Sequence, residues 1–266
     1  MADLRDLKDL HDLEDLHSRV REIEEIAADA VPAALVQSLD GWRLRFNHGF
    51  KRRPNSVLAN QNGGALDTET KIARAEAFYA AHGLHARFQL SPASLPADLD
   101  ARLETRGYVR AGEPVCVQVA ALSKLGLRPA AGEVTLLEHP TETWLALYIE
   151  AENLGSVKAA ALRDMLGKLP GRPVFALASD SAGRPAATAV GVDHGSSLGI
   201  FNVATHPQAR RQGLATALTA QLCRWGEQRG LSGAYLQVAA NNADARRVYE
   251  RLGFTTLYSY FYRERI

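Results

Sequence analysis

The stretch from Val203 to Phe254 constrains the fold more than any other part of the chain. Its pattern predicts a strand, a short basic loop, a helix, a second strand and a second helix. The loop runs His206-Pro-Gln-Ala-Arg210-Arg-Gln-Gly213, and the helix starts at Leu214. Leu214, Leu218, Leu222 and Trp225 recur at helical spacing as one apolar stripe, and Gly230 supplies the stop. Ala234–Ala239 reads as the second strand, and Asn241 to Leu252 as the second helix, closed by Gly253. A helix start at a strand's exit aims unpaired N–H groups and the positive end of the helix dipole at one point, which suits a pyrophosphate. Arg210 and Arg211 add charge there, and Gly213 lets the backbone approach phosphate without a Cβ in the way. On the loop alone, an arginine-flanked helix start without a ligand is an equal reading.

The rest of the chain divides in two. At 266 residues it suits two domains of about 100–150 residues each. Residues 3–16 repeat Asp-Leu-x, a period of three that drifts around a 3.6-residue helix, so residues 1–17 read as a low-complexity extension. Ser18 to Val31 is a better helix. Runs on either side of Asp40-Gly41 predict a hairpin. Strands are expected at His85–Leu90 and Val115–Val119, and helices at Thr68–His82 and Pro96–Arg106. Residues 18–123 form the first domain in this reading, 124–132 a linker containing Pro129, and 133–266 the second domain. The second domain opens with a strand at Val134–Leu137, helices at Glu142–Glu152 and Lys158–Lys168, and a hairpin of Pro173–Ser179 and Pro185–Asp193.

Two landmarks repeat. Gly83-Leu84 before a strand matches Gly230-Leu231 (230 − 83 = 147), and Gly107-Tyr108 after a helix matches Gly253-Phe254 (253 − 107 = 146). A near-constant offset predicts two copies of one fold. The first copy lacks the chemistry: the offset pairs Arg210 with Gly63, Gly213 with Leu66 and Tyr249 with Leu103.

Arg210, Gly213 and Ala215 have the spacing R-x-x-G-x-A. Asn242, Ala245, Tyr249, Gly253 and Phe254 have N-x-x-A-x-x-x-Y-x-x-x-G-F. Together these resemble the acetyl-CoA-binding core of the GNAT superfamily of N-acetyltransferases. Gly41-Trp42, Arg52-Arg53-Pro54-Asn55-Ser56 and the closing Tyr260-Phe261-Tyr262-Arg263 are similar to a tandem-domain branch of that superfamily. The resemblance implies an α/β (α+β) fold of two tandem GNAT-like domains, each a mixed, mostly antiparallel sheet flanked by helices, the first degenerate. It implies transfer of an acetyl group from acetyl-CoA to a primary amine, on a small molecule or a peptide, by direct attack in a ternary complex.

The same resemblance assigns the amides of Gln212, Gly213, Leu214 and Ala215 to the pyrophosphate, with Arg210 and Arg211. It has the strand end from Val203 to Thr205 splay from its neighbour and pair with the pantetheine arm, which Asn242 also touches. Tyr249 becomes the general acid: a phenol near ~10 can donate to a thiolate whose conjugate acid lies near ~8.5. By helical spacing alone Tyr249 is a core aromatic one turn from Ala245 and Leu252. For the base, Glu150, Glu152, Asp193 and His206 are local candidates, with Glu150 and Glu152 preferred because the early helices line the acceptor pocket in this superfamily. Asn202 cannot be a base, though it can position a water. The alternative is a non-catalytic acyl-CoA-binding or regulatory module on the same fold.

Composition narrows the partners. The net charge of +1 gives no global pull toward nucleic acid or anionic membrane. Cys116 and Cys223 stand outside any Cys/His cluster and read as buried thiols, and the histidines lack the i, i+4 pairing of zinc sites, so no metal is expected. No apolar run reaches membrane-spanning length and no signal-peptide pattern is present, so a cytoplasmic location is expected. Monomer and homodimer are equally open.

Overall fold

A computed structural model describes residues 10–127 and 133–265, with side chains from Glu14 onward. The chain up to Cys116, together with the stretch from Tyr258, forms one compact unit, and Val117–Leu257 forms another. This division differs from the expected domains at both ends. It passes inside two strands, β5 (Val109–Ala121) and β11 (Thr255–Glu264), and the residues from Tyr258 go to the first unit. A linker sought by its proline and glycine content cannot register a boundary that runs through a strand. Pro129 lies outside the described residues.

In the first unit, α1 (Leu10–Asp29) begins eight residues before the expected Ser18 (18 − 10 = 8). Once Val20, Ile23 and Ala27 anchor the helix by burial, each preceding residue of the Asp-Leu-x repeat extends it at little cost. Leu4 and Leu7 of the repeat lie outside the described residues. The hairpin is β1 (Leu35–Leu39) and β2 (Trp42–Phe46), with Asp40 and Gly41 both at positive φ. Gly41 is obligatory: a Cβ there would meet the Gln61 carbonyl at 2.7 Å. After β3 (Val57–Leu58) come α2 (Thr68–Ala81), β4 (Arg87–Leu90) and α3 (Leu99–Thr105). β1, β2 and β3 pair antiparallel, β3 and β4 parallel, and the end of β11 antiparallel to β4. Trp42, Leu44, Ile72, Tyr79, Phe88 and Leu103 sit at the centre of the core.

Charge is buried beside that core. Glu24, fully buried on α1, accepts from Arg53 Nη2 (2.8 Å), Tyr258 Oη (2.7 Å) and Gln89. Arg45, also fully buried, donates to Ser56 and Gln89, and burial pulls its guanidinium down to about 10.

The second unit follows the expected order closely. It contains β6 (Val134–Leu137), α4 (Glu142–Ala151), α5 (Ser156–Gly167), β7 (Pro173–Ser179), β8 (Pro185–Asp193), β9 (Ser197–Thr205), α6 (Leu214–Gln228), β10 (Gly233–Ala239) and α7 (Ala243–Leu252). β6 to β9 form an antiparallel meander, and β9 pairs parallel with β10. The buried face of α6, carrying Leu214, Leu218 and Leu222, lies on this sheet. A Cβ on Gly191 of β8 would stand 3.1 Å from Leu222, so helix and strand approach closely there.

The internal repeat holds from α2 to β5 against α6 to β11. α2 and α6 begin 146 residues apart (214 − 68), as do β4 and β10 (233 − 87) and β5 and β11 (255 − 109). Each unit contains a parallel pair whose strands are joined through a helix, β3–α2–β4 and β9–α6–β10. Aligning the helix starts places Asp67, rather than Leu66, opposite Gly213.

Candidate active site

The site begins where β9 and β10 part. Among the described residues their pairing runs from Gly233↔Ser197 to Leu236↔Ile200 and stops. On its other side β9 stays attached to β8 as far as Thr205, and the His206 amide donates to Ala186 O (2.8 Å). The stretch Phe201–Thr205 is therefore fixed along one edge and open along the edge that faced β10. That includes Val203 and Thr205. Register along β8 shows a bulge at the same place: Thr188↔Ala204 is followed by Val190↔Phe201, so β9 carries one extra residue. Asn202 at the bulge has φ +51°, a left-handed conformation that asparagine tolerates better than most residues.

The chain then turns through Pro207–Ala209, a 3₁₀ turn capped by His206, and enters the basic loop. Arg211 and Gly213 both take positive φ, and Gly213 is the N-cap of α6 with no side chain to bond the helix amides. The first intrahelical bond is Ala217 N–H to Gly213 O (2.9 Å). The amides of Gln212, Gly213, Leu214, Ala215 and Thr216 have no acceptor among the described residues. Arg210 and Arg211 are exposed at the same turn and form no ion pair among the described residues. Open donors, uncompensated cations and a helix N-terminus converge here, which fits a diphosphate.

Asn242 has a structural task that the sequence reading did not give it. Its side-chain oxygen caps α7 by accepting from Ala245 N–H (3.1 Å), leaving the amide NH₂ to donate elsewhere. Tyr249 lies on α7 with its ring 7% exposed and edge-on to Phe254 at 6.3 Å. Burial alone pushes its phenol up to about 12, and no hydrogen bond reaches the hydroxyl among the described residues. The residue is a core aromatic whose hydroxyl has no hydrogen-bond partner among the described residues.

The base candidates separate. Asp193, at the far end of β8, bonds Gly195 N–H and Arg229, which is a turn-forming role. Glu152 caps the end of α4 and is exposed. Glu150 meets His206: Nε2 and Oε1 are 3.1 Å apart. His206 Nδ1 accepts from the Gln208 amide (3.3 Å), so Nε2 bears the proton and donates to Glu150. Tyr148, which sequence reasoning passed over, stands on α4 two residues before Glu150. It is buried, stacks on Trp144 at 5.6 Å and donates to Asn202 Oδ1 (3.3 Å). Burial raises its pKa, and the charge of Glu152 raises it further. The aromatic i, i+4 spacing of Trp144 and Tyr148 was the signal available in the sequence. Among the described residues no cluster of His, Cys, Asp or Glu could hold a metal ion, and no helix is long and apolar enough to cross a membrane.

Comparison with known proteins gives this geometry a family. Residues 17–263 match the family model described as "Probable histone acetyltransferase Rv0428c C-terminal". The chain belongs to this family. It is a GNAT N-acetyltransferase, and so an acyltransferase, with the tandem arrangement the repeat predicts. Over 248 residues it is 27% identical to the uncharacterized N-acetyltransferase YobR of Bacillus subtilis (strain 168), spanning 92% of this chain and 98% of that one. Its fold is similar to a GCN5-related N-acetyltransferase from Kribbella flavida, with a TM-score of 0.69 and 16% identity over 94% of this chain and 95% of that one. A tandem GNAT protein from the clavulanic acid biosynthesis pathway gives a TM-score of 0.65 at 13% identity, covering 94% of each chain. The α/β class and the two GNAT-like halves of this acetyltransferase are thus those expected from the sequence.

Proposed function

We propose that the protein moves an acetyl group from acetyl-CoA to a primary amine by direct attack within a ternary complex. The observation that carries this reading is the early end of β9–β10 pairing beside a helix start with open amides. The free edge of Val203–Thr205 offers backbone groups to an extended pantetheine arm, as an added strand would find them. The amides of Gln212, Gly213, Leu214 and Ala215, with Arg210 and Arg211, take the diphosphate. Asn242 turns its NH₂ toward the arm. Tyr249 gives its proton to the departing thiolate; burial, which raises the phenol to about 12, keeps it protonated at working pH while making it a weaker acid.

The acceptor class rests on the chemistry of transfer and on the family's printed description, which names a protein amine source, histone. The test is mass spectrometry after incubation with acetyl-CoA and a panel of polyamines, amino sugars, and peptides with free α-amino or lysine groups. Acetylated amine and free CoA thiol should form in equal amounts. Binding of acetyl-CoA with no acetylated amine from any member of the panel would overturn the reading.

A further inference from the structure

His206 touches both halves of the site, and nothing in the acetyl-transfer reading uses it. Its Nε2–H donates to Glu150 at the end of α4, and its Nδ1 accepts from the Gln208 amide in the turn that leads to the phosphate loop. We propose that Glu150 is the proton acceptor for the attacking amine and that His206 is the residue that positions it. This rests on the acetyl-transfer reading and deepens it.

Glu150 stands on the last turn of α4 with its side chain largely in water, where a glutamate samples many rotamers. A base must be held within hydrogen-bond reach of the proton it takes. One N–H from His206 fixes Oε1 and leaves Oε2 to accept. His206 is itself fixed, because its backbone is bonded to β8 at Ala186 and its other ring nitrogen is occupied. The imidazole has no unshared nitrogen left, so it cannot be the base.

The other charged groups around α4 are accounted for. On α5, Arg163 is paired with Glu142 at the opposite end of α4, at 2.7 and 2.8 Å. On β8, Asp193 is paired with Arg229. Glu152 has no donor holding it among the described residues. Tyr148 is bonded to Asn202, so it fixes the bulge of β9 against α4 rather than competing for Glu150. In the step itself, an ammonium loses one proton to Glu150 and the freed nitrogen lone pair forms the C–N bond to the acetyl carbonyl carbon. The C–S bond breaks, the thiolate takes the Tyr249 proton, and the nitrogen, now bonded to the acetyl carbon, gives its second proton to water to leave a neutral amide. Solvent then removes the proton from Glu150 and restores that of Tyr249.

Two substitutions separate the two contacts of His206. His206→Asn keeps an acceptor near the Nδ1 position for Gln208 and loses the donor to Glu150. His206→Gln keeps a donor that reaches Glu150. With the best amine from the panel, Glu150→Gln should lower kcat by ~100-fold or more with KM for acetyl-CoA unchanged, the range expected for a general base. His206→Asn should lower kcat by ~10-fold with KM for acetyl-CoA unchanged, and His206→Gln should recover most of that loss. The double variant Glu150→Gln, His206→Asn should be no slower than Glu150→Gln alone, because the two act as one unit. Full activity of Glu150→Gln, or a kcat for His206→Gln lower than for His206→Asn, overturns the proposal while leaving acetyl transfer standing. Absence of transfer by the unmodified protein overturns both.

Discussion

The start of α2 and the start of α6 occupy the same place in the two copies of the fold, and they are finished in opposite ways. At α6 the cap is Gly213, whose missing side chain leaves the helix amides without an acceptor. At α2 the cap is Asp67, whose carboxylate accepts from Thr70 N–H (2.9 Å) and Thr70 Oγ1 (2.7 Å). The loop before it is closed too, since Asp40 accepts from the amides of Ala65 (3.2 Å) and Leu66 (3.0 Å). Where β9 and β10 leave an open edge, the first unit has Leu95 N–H donating to Ala59 O (2.7 Å), and the Trp42 indole donating to Leu95 O (3.1 Å). One copy leaves its donors without an acceptor among the described residues, and the other spends them on itself. The same strand–loop–helix can thus be left open or closed with no change of fold. Carboxylates and one hydrogen-bonded segment in the right places are enough to close it, and they add stability as they do so.

The largest effect expected from this contrast concerns the first unit's buried charge. Glu24→Ala removes the buried carboxylate that faces Arg53 at 2.8 Å, a kind of change that costs about 3–5 kcal/mol. Chemical denaturation should show that loss, with acetyl-CoA affinity per folded molecule unchanged. A matching loss of affinity would mean that the first unit's polar core serves the ligand as well as the fold.

Next comes Tyr249→Phe, which removes a hydroxyl that no hydrogen bond reaches among the described residues. Turnover should fall by ~100-fold, in the range for general acid catalysis, with acetyl-CoA binding intact. Its pH dependence has a definite sign. The folded phenol is raised from its ordinary 10 to about 12, so it stays protonated, and its contribution to stability is whole below pH 10. That contribution fades as pH climbs toward 12. Kinetics should therefore show no alkaline decline due to Tyr249 below that range, and unchanged turnover in the variant would leave Tyr249 as core packing.

How much of this was legible in the sequence depends on what sort of signal each feature leaves. The elements from Pro173 to Leu252 were readable because apolar period and glycine stops agree, and Gly213 was readable because a helix start lacking a cap side chain is itself a pattern. Asp67 was missed by one residue: an offset taken from Gly230 and Gly83 points to Leu66, and only the helix starts show the slip. The splay of β9 from β10 came from a resemblance, since strand pairing that stops early has no mark in local composition. The Glu150–His206 contact spans 56 positions and joins a helix end to a strand exit, so no window of sequence contains it. The passage of β5 and β11 between units is equally invisible, because each reads as one uninterrupted strand.

Gly213→Asp should have the third-largest effect, because it writes the first unit's cap into the second. The position accepts a Cβ without collision, since nothing lies within 4 Å, and aspartate is among the residues that enter left-handed backbone most readily. A carboxylate there would compete for the amides and repel phosphate, so acetyl-CoA affinity should fall by about 2 kcal/mol in calorimetric titration. Gly213→Asn, with the same shape and no charge, should lose less. Equal losses would point to backbone strain instead of competition for the amides.

The converse change should have the smallest effect. Asp67→Gly frees the amides of α2, and its consequence for stability carries a pH sign. Hydrogen bonds from Thr70 hold the Asp67 carboxyl below its ordinary value, so its contribution is present at neutral pH and is lost as pH falls through the acid range. The melting temperature of the variant should thus lie slightly below the parent at pH 7, and the two should converge under acid conditions. No acetyl-CoA site should appear in the first unit, because Leu95 still bonds Ala59 and Asp40 still holds Ala65 and Leu66. A second equivalent of acetyl-CoA bound by Asp67→Gly would break the comparison, since it would make the helix cap alone responsible for the difference between the two copies.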